Sequence, residues 1–230
     1  MAEPRGPWEA IAERLRRGLR AAIASLLRPL TARMGRRLVR NPGGEVRQAS
    51  APADLQRLRV LPEILQQGQT NACGPYSLAM AASCVWPGRH SPAEIGRRVR
   101  LFRVPWLGAT LPWGIASAGR SLGLDVRARW LGRIEDLKRC VDVGHPAIVL
   151  VHPDERAGCA WYALHYRVLV GYRDDPSLPG GGEFYFACSA TRCRALGGGR
   201  PGNLALDYAQ FRRQWATYLT PNWYAEVTRA

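Results

Sequence analysis

Four short segments, residues 147–151, 166–172, 183–188 and 223–228, restrict the fold more than anything else in the chain. Each is rich in β-branched or aromatic residues and bounded by turn signals, the pattern of strands in a meandering antiparallel sheet. The half of the chain before them has a helical texture instead. Ser91-Pro92-Ala93-Glu94 reads as a capping box with proline at the first helical position, which predicts a helix over 92–101 with its arginines facing solvent. Residues 133–141 predict another helix leading into Gly144, and the Gly- and Pro-punctuated stretch 104–124 predicts a loop and a short helix. Helices first and strands later specify an α+β domain. With 230 residues and 47% hydrophobic content, the chain can bury one sizeable core, which excludes disordered, collagen-like and low-complexity classes.

Charge divides the chain. Lys+Arg 33 against Asp+Glu 18 leaves +15, of which residues 1–48, with eleven arginines and four glutamates, hold +7. Trp8, Ile11, Leu15, Leu19, Ile23, Leu26 and Leu30 recur there every three or four positions, so one helical face is apolar and the other arginine-rich. Pro29 lacks an amide proton and clashes with the preceding turn, so it kinks or ends that helix. The expected organisation is a basic amphipathic helical extension over 1–48, a linker over 49–59 and the α+β domain over 60–230. The extension has the pattern of a helix that packs on its own domain, lies on an anionic membrane surface or docks to a partner protein. Nucleic acid is not expected as a partner, because no recognisable binding motif accompanies the charge. No apolar stretch approaches the roughly 20 residues that span a bilayer, and the N-terminus has no secretory h-region. The expected location is cytoplasmic, peripheral at the membrane if the extension binds there. The six cysteines, at 73, 84, 140, 159, 188 and 193, show no metal-ligand spacing, so neither a metal nor another cofactor is expected.

The chemistry concentrates between Gln66 and Met80. Pro75 favours a helix start, and Leu78, Ala79 and Ala82 supply an apolar face, so Cys73 falls at the N-terminus of a buried helix. Unpaired amide protons and the helix dipole there stabilise a thiolate, the form of cysteine that attacks. A thiolate also needs a base that later protonates the leaving amine, a task suited to histidine near neutral pH. His165 heads the strand-like segment 165–172, where an ordered element can hold the ring. Acyl transfer further requires donors for the developing oxyanion, and Gln67, six residues before Cys73, offers a side-chain amide beside the Cys73 backbone amide.

This ordered set resembles the papain-like cysteine peptidases of the bacteriocin-processing, double-glycine-leader type, cysteine-peptidase family thirty-nine (C39-like). The resemblance rests on Gln67-x5-Cys73-Gly74-Pro75, the following Leu78-Ala79-Met80, Leu122-Gly123-Leu124, the segment from Gly144 to Val149, the His165 segment ending in Gly171-Tyr172, and the closing segment from Tyr208 to Trp215. It runs from about Val60 to Val227. It implies a papain-like α+β fold, with the nucleophile helix packed on an antiparallel sheet, and a peptide or protein substrate cleaved through a thioester. It further implies Cys73 as nucleophile, His165 as general base and acid, Gln67 as oxyanion donor, and cleavage after small residues of a leader peptide. Trp106 and Trp113 lie between the two catalytic segments, where such a fold builds its cleft, and are candidates for the substrate groove.

One position departs from the pattern. Such enzymes place an Asp or Asn at the end of the strand after the histidine strand to orient the imidazole, and here Cys188 or Ser189 stands there. Three readings follow: a Cys/His dyad with a weaker orienting group, an acid such as Asp174 or Asp175 swinging in, or a degenerate module that binds a peptide or protein partner without cleaving it. A Cys/His acyltransferase keeps the same chemistry with a different acceptor.

Overall fold

A computed structural model describes residues 54–68, 70–104, 109–153, 164–190, 196–217 and 220–230. The N-terminal extension, Trp106, Cys159 and Cys193 therefore lie outside the described residues. Five α-helices and seven strands are present among the described residues. The first strand is β1 (Gln56–Arg57). Helices α1 (Cys73–Val85), α2 (Pro92–Arg98) and α3 (Pro112–Ser121) precede β2 (Leu124–Arg129). Then come α4 (Ile134–Asp142), β3 (Ala147–Val151), β4 (His165–Asp174), β5 (Gly182–Ala187), β6 (Leu204–Asp207), α5 (Tyr208–Trp215) and β7 (Tyr224–Arg229).

Local signals set the helix ends. Ser91 Oγ accepts the Glu94 amide at 3.2 Å to start α2, which stops at Arg98 and gives way to a single 3-10 turn over Arg100–Phe102, short of the expected end at 101. Asp207 caps α5 in the same way, accepting the Gln210 amide at 2.7 Å. After α4, Gly144 takes φ +80°, a left-handed conformation that costs glycine nothing, and the His145 amide returns to the Cys140 carbonyl at 2.8 Å.

The sheet is antiparallel throughout, in the order β2-β7-β3-β4-β5-β6, with β1 paired to β4. Strands β3, β4 and β5 form the expected meander, and β6, a strand the sequence does not mark, continues it. The last strand does not extend it: β7 crosses back to lie between β2 and β3. Strand β1 also departs from expectation, because Gln56 and Arg57 were placed in the linker yet pair with Tyr172 and Gly171, and Leu58 beside them is buried. Gly171 permits that approach, since a Cβ there would lie 2.7 Å from the Gln56 carbonyl oxygen.

Helices cover both faces. Ile148 and Leu150 of β3, with Tyr166, Val168 and Val170 of β4, pack toward α1, α2 and α3. The alternate residues Ala147, Val149, Val151 and Leu169 pack with Leu137 of α4 and Phe211 and Trp215 of α5. All five residues of β3 are buried, which is why it reads as an unbroken apolar run instead of alternating. None of the described helices is long and apolar enough to cross a membrane.

Candidate active site

Cys73 is the first residue of α1 and is 8% exposed. Gly74 follows because Thr110 closes on that turn: a Cβ at position 74 would sit 2.7 Å from the Thr110 Cβ. Pro75 is tolerated in the first turn, where its missing amide proton has no helical partner to lose. One turn on, Ser77 donates its hydroxyl to the Tyr166 carbonyl at 3.0 Å, and the Tyr166 hydroxyl donates to the Thr110 carbonyl at 2.8 Å. The Tyr166 ring meets Trp223 edge-on, with centroids 5.7 Å apart. The start of α1 is thereby bolted to β4 one residue beyond His165.

His165 opens β4 opposite Val151, the last residue of β3. Burial raises the cost of ionising Cys73, but a hydrogen bond and the charge of His165, with amide hydrogen bonds from Tyr166 and Gly74, outweigh it and hold the thiol below its ordinary value. Burial likewise disfavours the imidazolium. Hydrogen bonds to Cys188 and Cys73 overcome that penalty and push His165 up to about 9. Two other cysteines behave oppositely. Burial drives the thiols of Cys84 and Cys140 up to about 12. Both shifts act in the direction of the charged forms, thiolate on Cys73 and imidazolium on His165.

The stretch after β5 contributes two neighbours. Cys188, 1% exposed, places its Sγ 3.3 Å from His165 Nε2. Its backbone is clamped by Asn203, whose Oδ1 accepts the Cys188 amide at 2.7 Å while Nδ2 donates to the Cys188 carbonyl at 2.9 Å. Ser189 is also fully buried but turns to Gln67: the Ser189 hydroxyl donates to Gln67 Oε1 at 2.7 Å, and the Gln67 amide donates to the Ser189 carbonyl at 2.9 Å. Gln67 Nε2 donates to the Thr70 carbonyl at 2.8 Å, which fixes the orientation of the amide because that carbonyl can only accept.

The structure thus brings Cys73, His165 and Cys188 together, and Gln67 with Ser189 beside them. Asp174 and Asp175 are not part of the group. His165 and Asp174 stand at opposite ends of β4, about 30 Å apart at roughly 3.3 Å per residue. Asp174 is engaged by Lys138 and the Tyr208 hydroxyl, and Asp175 by Ser177 and Arg173. The reading in which either acid swings in is overturned by this distance and these partners. Trp113 lies on α3, whose Ile115 borders Gly74, and is 55% exposed. Asn203 and Thr110 are the supporting residues that sequence reasoning missed. No local pattern marks either, since each acts on a residue distant in the chain.

No family model matches this chain, and no curated protein matches its sequence. Solved structures do match in shape. The peptidase domain of Streptococcus ComA, a bifunctional ABC transporter involved in a quorum-sensing pathway, aligns with a TM-score of 0.52 at 18% identity, over 72% of this chain and 97% of that one. A C39-like peptidase from Bacillus anthracis aligns with a TM-score of 0.53 at 13% identity, over 76% of this chain and 98% of that one. The fold is therefore the papain-like α+β fold of C39-like peptidase domains, as the sequence resemblance implies.

Proposed function

We propose that this protein is a cysteine peptidase that hydrolyses a peptide bond through a thioester. The observation that carries the reading is the placement of Cys73, the buried first residue of its helix and hydrogen-bonded to His165: that pairing favours its thiolate, whereas burial favours the neutral thiol at Cys84 and Cys140. In the first half-reaction Cys73 Sγ attacks the substrate carbonyl carbon, and the carbonyl π electrons move onto oxygen. The Cys73 backbone amide and the second Nε2 hydrogen of Gln67, the one not given to Thr70, receive that oxyanion. His165 passes its proton to the leaving amine as the C–N bond breaks. Neutral His165 then takes a proton from water, whose oxygen attacks the thioester, and the acid product leaves as the Cys73–His165 pair is restored.

The substrate is a peptide or protein. Cleavage after small residues of a leader rests on the sequence resemblance, and a location in the cytoplasm rests on the sequence pattern alone. Trp113, exposed on α3, and Trp106 are proposed to border the groove, and the N-terminal extension to dock on a membrane surface or a partner protein.

Replacing Cys73 with Ala should abolish cleavage of a peptide library read by mass spectrometry, and activity equal to wild type would overturn the assignment. One observation favours a second reading: a thiol stands where an acid is expected. If Cys73 reacts with iodoacetamide only near the roughly 8.5 of an ordinary thiol, the domain is a peptide-binding module without chemistry. If product yield shifts to amides when an amine is added, it is an acyltransferase.

A further inference from the structure

Three features of the site converge on one residue that the peptide-cleaving reading leaves without a task. An imidazolium carries a proton on each nitrogen, and each nitrogen directs one hydrogen bond in the ring plane. Cys188 Sγ occupies the Nε2 direction at 3.3 Å. Cys73 is hydrogen-bonded to the same ring, and the nitrogen that Cys188 leaves open to it is Nδ1. With that assignment the two sulfurs bracket His165, one at the reacting proton and one behind it. The second feature is the mounting of Cys188. Its amide and carbonyl are both held by the buried Asn203, a two-point clamp that fixes where its side chain points. The third is the behaviour of Ser189. Its hydroxyl is committed to Gln67 Oε1, which removes it as a partner for the ring and makes it a support for the amide of Gln67 instead.

We infer that Cys188 is the positioning residue of His165: its sulfur accepts the Nε2 proton, stops the ring from rotating, and keeps Nδ1 aimed at Cys73. The inference rests on the proposed Cys73–His165 chemistry and names the residue that completes it. A sulfur is a weaker, longer-range acceptor than a carboxylate oxygen, so the ring is held with less charge stabilisation than an acid would give. Cys188 acts through His165 and touches no substrate.

The test is an NMR pH titration of the His165 imidazole in the full chain, in wild type, Cys188→Ala, Cys188→Val and Cys188→Asp, alongside the pH dependence of iodoacetamide alkylation at Cys73. Valine leaves no cavity and has no acceptor, though it is larger than cysteine by about a methyl group, so it errs in size in the opposite direction to alanine; either variant decides the question where circular dichroism shows it folded. The expected result is a His165 midpoint about one pH unit or more lower in Cys188→Ala and Cys188→Val, the usual scale of a lost partner, with Cys73 alkylating more slowly at neutral pH. Cys188→Asp should return the midpoint to the wild-type value or above. Midpoints for the alanine and valine variants that superimpose on wild type would overturn the positioning role and leave the peptidase reading intact. A wild-type His165 that titrates near its ordinary value of about 6.5, with Cys73 alkylating as an ordinary thiol, would instead sink the peptidase reading itself.

Discussion

The reactivity of Cys73 depends on a balance between burial, which penalises charge, and a small set of donors that reward it. The sign of the pH response follows directly. As pH falls through the lowered value of Cys73, the thiolate is protonated and attack stops. As pH rises through about 9, His165 loses the proton that must reach the leaving amine, and turnover stops again. We therefore predict a bell-shaped profile of kcat/KM against pH, with an acid limb that lies below the pH of an ordinary thiol and an alkaline limb near pH 9. A rate that climbs with pH and stays high above 9 would show a thiol that reacts without an imidazolium partner. The pairing of Cys73 with His165 was legible in the sequence, because a cysteine at a helix start calls for a histidine partner and the ordered resemblance points to this one. The choice between Cys188 and Ser189 was not. Adjacent residues at a strand end project to different sides, and which one meets the ring depends on where Asn203 and Gln67 hold the backbone.

At the scale of elements, the site depends on how closely α1 can approach its neighbours. Gly74 is the tightest point, with Thr110 at 2.7 Å and Ile115 at 3.1 Å from the position of an added Cβ. Both neighbours are short or packed and cannot swing away, so Gly74→Ala must displace the first turn of α1 along with Cys73. We predict a loss of stability of about 1–3 kcal/mol, the usual cost of overpacking. Cys73 alkylation at neutral pH should also slow by tenfold or more, measured by mass spectrometry on protein that circular dichroism shows to be folded. Wild-type alkylation in this variant would mean that the thiolate does not depend on the placement of the helix start. Helix α2 was readable from its cap, and strands β3, β4, β5 and β7 from their β-branched and aromatic runs, because those signals are local; β2 and β6 were not. Strand β1 was not, since two exposed residues carry no periodicity and its pairing with β4 is set by the space at Gly171. The insertion of β7 between β2 and β3 was hidden for a related reason: strand order depends on which faces the intervening helices cover, and no single segment encodes it.

The whole molecule separates chemistry from support across the sheet. The face toward α1 carries Cys73 and Tyr166, and the opposite face carries an aromatic stack with no part in the proposed reaction. Phe211 is its centre: fully buried, its ring lies 5.1 Å from Phe184, 5.4 Å from Phe186 and 5.0 Å from Trp215. Truncating it leaves a void that three rigid rings and a strand pair cannot fill, so Phe211→Ala should cost about 3–5 kcal/mol. A domain of this size loses roughly 2–4 °C of Tm per kcal/mol, which places the fall at about 10 °C, readable by thermal circular dichroism. The damage should stop at the sheet. At 25 °C, while the variant remains folded, the pH midpoint of Cys73 alkylation should match wild type, because the groups that set it are Tyr166, Gly74 and His165. A shifted midpoint at intact secondary structure would show that the stack sets the position of β4 as well as its stability, and that the two faces are mechanically coupled through His165.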